Sequence, residues 1–185
     1  MENSQMAEYL LPSTLANILN DIQKALAAEL YYPALVVTLT IPDICIALCW
    51  DRDMIVREKH YKKFIDDYAT TRLGVDGAQC YVLRGGVIHR GNASGHPKFP
   101  GTHIMFTTPK SSGIHGVSMQ FGEKKALSLD LGTFCSEMIA ATIRWYEVHK
   151  THPKVIENLP RLLSYRPFGL PPFVSGIPVI ASEAG

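Results

Sequence analysis

Apolar residues recur at intervals of three and four along Leu15, Ile18, Leu19, Ile22 and Leu26, the period of one buried helical face, and Ser13 or Thr14 stands where a capping hydroxyl is expected. Tyr31 and Tyr32 lead to Pro33, which suits a first helical position. Ala34 to Trp50 is then apolar nearly all round, as a central helix is. Pro42 lacks the N–H that a helix interior needs, so a kink or a split is expected there. Asp51 to Arg57 reads as a charged loop. Phe64, Ile65 and Tyr68, with His60 or Tyr61, form the inner face of a third helix whose outer face is Lys59, Lys62, Lys63, Asp66 and Asp67. Asp76, between Gly74 and Gly77, caps a fourth helix from Ala78 to Arg90, which Gly91 and Asn92 end.

The helical period is lost from Ser94 to Pro109, where glycine and proline accumulate. Short strands are predicted at His103–Thr107, Val117–Phe121 and Ala126–Leu129, the last two joined as a hairpin around Gly122 to Lys125. Asp130 or Thr133 begins a long helix to about His149, with Phe134, Met138, Thr142 and Trp145 on one stripe. A shorter helix follows over Lys154–Leu163. From Arg166 onward, four prolines stand among Phe168, Phe173, Val179 and Ile180; regular structure is not expected there, and the tail should lie extended over the body or over a partner subunit. The chain therefore reads as one mainly α (α+β) domain: a bundle of about five helices over residues 13–150, a small β insertion at 103–129 and a proline-rich tail at 166–185.

Length and composition are consistent with this. The 185 residues, 46% hydrophobic and 19% charged, suit one core. Met1 to Glu8 offers acids and amides rather than the basic start and apolar run of a secretory signal, which predicts a cytoplasmic protein. Tyr31 to Trp50 approaches membrane-span length, but Pro33, Pro42 and Asp43 interrupt it, so a buried core helix is expected rather than a membrane association. Cys45, Cys49, Cys80 and Cys135 form no Cys-x-x-Cys pair; core thiols are expected rather than a zinc site or disulfides.

The net charge of +1 gives no general attraction for nucleic acid and no DNA-specific signal. Its distribution is uneven, because no acid occurs in the 46 residues between Asp76 and Glu123. Arg84, Arg90, Lys98 and Lys110 lie there with His89, His96, His103 and His115. Two readings stand: a helix and hairpin with little room for carboxylates, or a surface that accepts phosphate. The histidines lack the paired spacing of a metal site.

The sequence contains no nucleophile elbow, phosphate-binding loop, His-Glu-x-x-His helix or dinucleotide fingerprint, and no cofactor is implied. Gly85 and Gly86, adjacent within a predicted helix, each cost about 1 kcal/mol relative to alanine, which suggests close approach of another helix or a partner. Asp43, a lone carboxylate in an apolar helix, needs a partner. Arg84 and His89 are the candidates. Five residues turn a helix by about 500°, which leaves Arg84 and His89 roughly 140° apart. A long arginine reaching round, or two copies of the helix, would be needed to bring them together.

The segment Tyr81-Val82-Leu83-Arg84-Gly85-Gly86-Val87-Ile88-His89-Arg90-Gly91 resembles the Arg-x4-6-His helix of HEPN-type domains. Ile41-Pro42-Asp43-Ile44-Cys45 is similar to a helix in a group of uncharacterised bacterial proteins. The first resemblance implies a helical bundle that dimerises, with arginine and histidine from two protomers facing one cleft, and RNA cleavage without metal through the 2′-hydroxyl. Arg84 would then bind phosphate and stabilise its developing charge, and His89 would act as general acid or base; from the residues themselves, an Asp43 that orients His89 would support such a role. Arg144 and His149 repeat the spacing, and Arg90 to His96 fits its looser form. Beside a homodimeric endoribonuclease or RNA-binding protein stand two other readings. One is a non-catalytic module that binds a nucleotide or a protein. The other is a structural protein in which Asp43 and Arg84 lock two core helices and His89 is inert.

Overall fold

The computed structural model describes residues 11–51, 53–93, 102–110 and 114–182. Helix α1, Ser13–Ala27, buries Leu15, Ala16, Leu19 and Ile22 as its period requires. Its N-cap is Pro12, not a hydroxyl residue, and Thr14 Oγ1 donates instead to the Leu159 carbonyl at 3.5 Å. Helix α2, Tyr31–Leu48, begins two residues before Pro33. The proline still falls in the first turn, where no N–H partner is needed.

Pro42 does not split the helix: α2 is one continuous element from Tyr31 to Leu48 with the proline inside it. Polar groups sit close to this stretch of backbone. The Tyr61 hydroxyl donates to the Leu39 carbonyl at 2.9 Å, and the Thr38 hydroxyl donates to the Ala34 carbonyl at 2.7 Å. Helix α3, Glu58–Tyr68, buries Tyr61, Phe64 and Ile65, which selects Tyr61 over His60 for the inner face. A 3-10 turn at Thr71–Leu73 precedes α4, Gly77–Arg90. Asp76 caps α4 by accepting from the Gln79 N–H at 2.7 Å.

A small mixed sheet follows, with strands β1, Thr102–Thr107, β2, Val117–Phe121, and β3, Lys124–Asp130, in the order β1-β3-β2. β1 runs parallel to β3 and β2 antiparallel to it, with Ile104 opposite Leu127 and Met119 opposite Ala126. β3 leads directly into α5, Leu131–His149. Asp130 turns the chain there by accepting from both the N–H and the hydroxyl of Thr133 at 2.7 Å. The Phe106 and Phe134 rings meet edge to face, 5.4 Å apart, and join sheet to helix. Helix α6, Pro153–Asn158, and a 3-10 turn at Leu159–Arg161 complete the helical part. The result is a mainly helical α+β fold.

Helix α2 is its centre and packs against α1, α3, α4, α5 and α6. By length and apolarity alone it is the one candidate membrane span among the described residues. Cys45, Cys80 and Cys135 are buried, Cys49 is half-buried, and all four are free thiols.

The tail departs from the expected extended course. Its segments pair with each other: β4, Ser164–Arg166, with β7, Val179–Ala181, and β5, Gly169–Leu170, with β6, Val174–Ser175. The prolines fall outside these short strands, at 167, 171, 172 and 178, and so cost the ladders no N–H.

Candidate functional site

Helices α2 and α4 bring Asp43, Arg84 and His89 together within one chain. The arginine Nε donates to Asp43 Oδ2 at 2.9 Å, and Nη2 lies 2.9 Å from the same oxygen. Nη1 points the other way, 3.4 Å from His89 Nε2. The guanidinium thus spans the angular gap between positions 84 and 89, and no second copy of the helix is needed to close it. Since arginine can only donate, Nε2 is the acceptor in this contact and the proton of a neutral His89 resides on Nδ1.

Burial is graded across the cluster. The Asp43 and Arg84 side chains are 20% and 24% exposed, while His89 lies on the exposed side of α4. Partial burial pushes the Asp43 carboxyl above its ordinary value, against the opposing pull of Arg84 and His89. The ion pair is neither fully buried nor solvated. The Tyr32 hydroxyl donates to the Val87 carbonyl at 3.2 Å and ties the start of α2 to the turn of α4 that carries His89. Sequence pattern gave no sign of this contact.

The glycine pair has a different origin from the close helix approach expected. A β-carbon at Gly86 would lie 2.3 Å from the Asn92 carbonyl oxygen, because the chain folds back after Gly91, with φ 60°, and the Asn92 N–H donates to the Gly86 carbonyl at 3.0 Å. The close approach is thus by the helix's own C-terminal turn. At Gly85 a β-carbon would meet nothing within 4 Å.

The second Arg-x4-His pair does different work. Arg144 donates from Nη2 to Glu137 at 2.5 Å and from Nε to the Tyr68 carbonyl at 2.6 Å. His149 stacks on Trp145, with Nδ1 2.9 Å from the Trp145 carbonyl oxygen. Glu137, only 5% exposed, also accepts from the Thr70 N–H at 2.9 Å. This carboxylate on an apolar stripe carries the same signal as Asp43, and the sequence reading passed over it.

Two of the cations in the acid-free window have carboxylate partners from outside it. Asp43 neutralises Arg84, and Glu29, at a distant sequence position, pairs with Lys110. His115 accepts the Asp130 N–H at Nδ1, 3.0 Å, and so donates from Nε2 to the Arg72 carbonyl at 2.7 Å. Both its nitrogens are occupied. His96 and Lys98 lie outside the described residues. Among the described residues no three His, Cys, Asp or Glu side chains group as a metal site.

A separate cleft of about 600 Å³ lies between α3, the start of α4 and His115, and its lining includes none of the three cluster residues. Its carboxylates are engaged in backbone capping: Asp66 accepts from the Gly77 N–H at 3.1 Å and Asp76 from that of Gln79. Carboxylates committed to capping leave little to converge on a ligand there.

Fold and site together define a mainly helical α+β protein with an aspartate–arginine–histidine cluster at the junction of two helices. Comparison with protein-family models, curated proteins and solved structures finds no significant match for this chain.

Proposed function

We propose that the chain is a HEPN-like protein that acts on RNA as a homodimer, with Arg84 and His89 as the reactive pair and Asp43 as the residue that positions Arg84. One observation carries the reading: the exposed His89 imidazole lies 3.4 Å from a guanidinium that Asp43 holds from the opposite side. A phosphate entering at Nη1 would take the place of this contact and free Nε2. The imidazole then accepts the proton of the 2′-hydroxyl as the oxygen attacks phosphorus. The imidazolium so formed returns this proton to the 5′-oxygen as it leaves, and a 2′,3′-cyclic phosphate remains. Arg84 balances the charge that builds on the phosphoryl oxygens.

The double contact of Arg84 with Asp43 supports a second reading, a module that binds nucleotide or protein without cutting, because it fixes the guanidinium through Nε and Nη2 and leaves Nη1 on the His89 side for a ligand. Incubating wild type, His89→Ala and Arg84→Ala with a mixed RNA pool in chelator separates the two. Cleavage by wild type that falls at least about 100-fold in His89→Ala is expected of a general acid–base. Equal cleavage by both, or none by either, would overturn the nuclease reading. Binding without cleavage that is lost in Arg84→Ala would establish the second.

A further inference from the structure

Between Pro167 and Ser182 the chain has no Asp, Glu, Lys or Arg, and its large apolar side chains point outward. Phe168 is 82% exposed, Phe173 75% and Ile180 70%, and Tyr165, which precedes the segment, is 64% exposed. The frame beneath them is fixed. The Gly176 N–H donates to the Phe168 carbonyl at 2.9 Å and the Phe173 N–H to that of Leu170 at 3.0 Å. Gly169 has φ 90°, and a β-carbon there would lie 2.5 Å from the Val174 carbonyl oxygen. The hairpin tip is thus held closed with its phenyl rings outside.

Each chain also carries a groove of about 590 Å³ between α1 and the tail, walled by Ile18, Val37, Leu163, Tyr165 and Ile180. Tyr165 and Ile180 face each other across the β4–β7 ladder. The charges at its rim, Asp21 and Lys24, are paired with each other at 3.2 Å.

We infer that the tail is a homodimer contact in which the Phe168–Phe173 tip of each copy seats in the groove between α1 and the tail of the other, about a two-fold axis. Three observations select a second copy of the chain. With aromatic side chains of about 150–250 Å² each, Phe168, Phe173, Tyr165 and Ile180 expose on the order of 500 Å², at the upper end of what monomers leave bare, and the groove that each copy also offers brings the contact toward the ~800 Å² per partner of a stable interface. A two-fold axis makes the same contact twice, so one copy supplies both tip and groove, and the charges at the groove rim, Asp21 and Lys24, are already paired with each other. The flanking cations are engaged, Arg161 by Glu157 at 3.1 Å and Arg166 by the Ala181 carbonyl at 3.3 Å; an anionic lipid surface would need such a cationic rim to be available.

The inference shares the homodimer with the RNA reading but rests on the tail and groove alone, and its test uses no RNA. Light scattering and sedimentation of the full chain at micromolar concentration should give twice the chain mass of 20.5 kDa. Phe168→Asp/Phe173→Asp and, separately, Ile180→Asp should each shift the protein to monomer. Their circular dichroism and melting in the monomer range should be those of the wild type diluted to monomer, since all three side chains are already exposed. A monomeric wild type, or a dimer that survives the tip substitutions, would overturn the tail contact. A dimer lost by the tip variant and kept by Ile180→Asp would overturn seating in the groove.

Discussion

A β-carbon at Gly86 meets the Asn92 carbonyl oxygen at 2.3 Å, whereas one at Gly85 meets nothing. Opposite effects on stability should follow. Gly85→Ala relieves the helix of a poor former and should stabilise by about 1 kcal/mol. Gly86→Ala forces backbone apart and should destabilise by about 1–3 kcal/mol. Urea unfolding of the two variants checks both signs. Asp43 gives a second prediction at this scale. Its carboxyl is raised by partial burial and lowered by Arg84, so the native state takes up this proton at a higher pH than the unfolded chain. The contribution of Asp43 to stability therefore grows as pH falls through the raised value and declines as pH rises above it. Carboxyl NMR should find Asp43 titrating above ordinary aspartate, and higher still in Arg84→Ala. Titration at or below the ordinary value would contradict the burial argument.

Among the elements, α5 shows how one buried carboxylate can hold several parts of the fold. Glu137 accepts from the Thr70 N–H and from Arg144, while Arg144 also binds the Tyr68 carbonyl, so the end of α3 and the 3-10 turn are fastened to α5. Burial pushes the Glu137 carboxyl up, but the hydrogen bonds from Thr70 and Arg144 outweigh it and leave the group below its usual value. Its stabilisation is thus present above the unfolded glutamate pKa and is lost as pH falls through the folded one. Glu137→Gln should cost about 2 kcal/mol near neutral pH, the scale of a hydrogen bond to a charged group. The deficit relative to wild type should shrink in acid. Denaturation at the two pH values measures this, and a deficit that stays constant would assign the effect to shape rather than charge.

For the whole molecule, much of the fold was legible in the chain because its causes are local. The stripe Leu15–Leu26, the Asp76 and Asp130 caps and the stop at Gly91 depend on neighbours within a turn or two, and each lies where the pattern predicts. The need of Asp43 for a partner was also legible, since a carboxylate among apolar residues has few alternatives. Tertiary structure decided what depends on distant segments. It chose Arg84 as the partner of Asp43 and closed the gap to His89 through the length of one side chain, which helical geometry alone left open. It supplied Glu29 to neutralise Lys110 from outside the acid-free window. It carried α2 through Pro42 and folded the tail into paired strands. A residue's period and capping chemistry are set by the chain around it, whereas its charge balance, its exposure and the reach of its side chain depend on which remote segments the fold brings beside it.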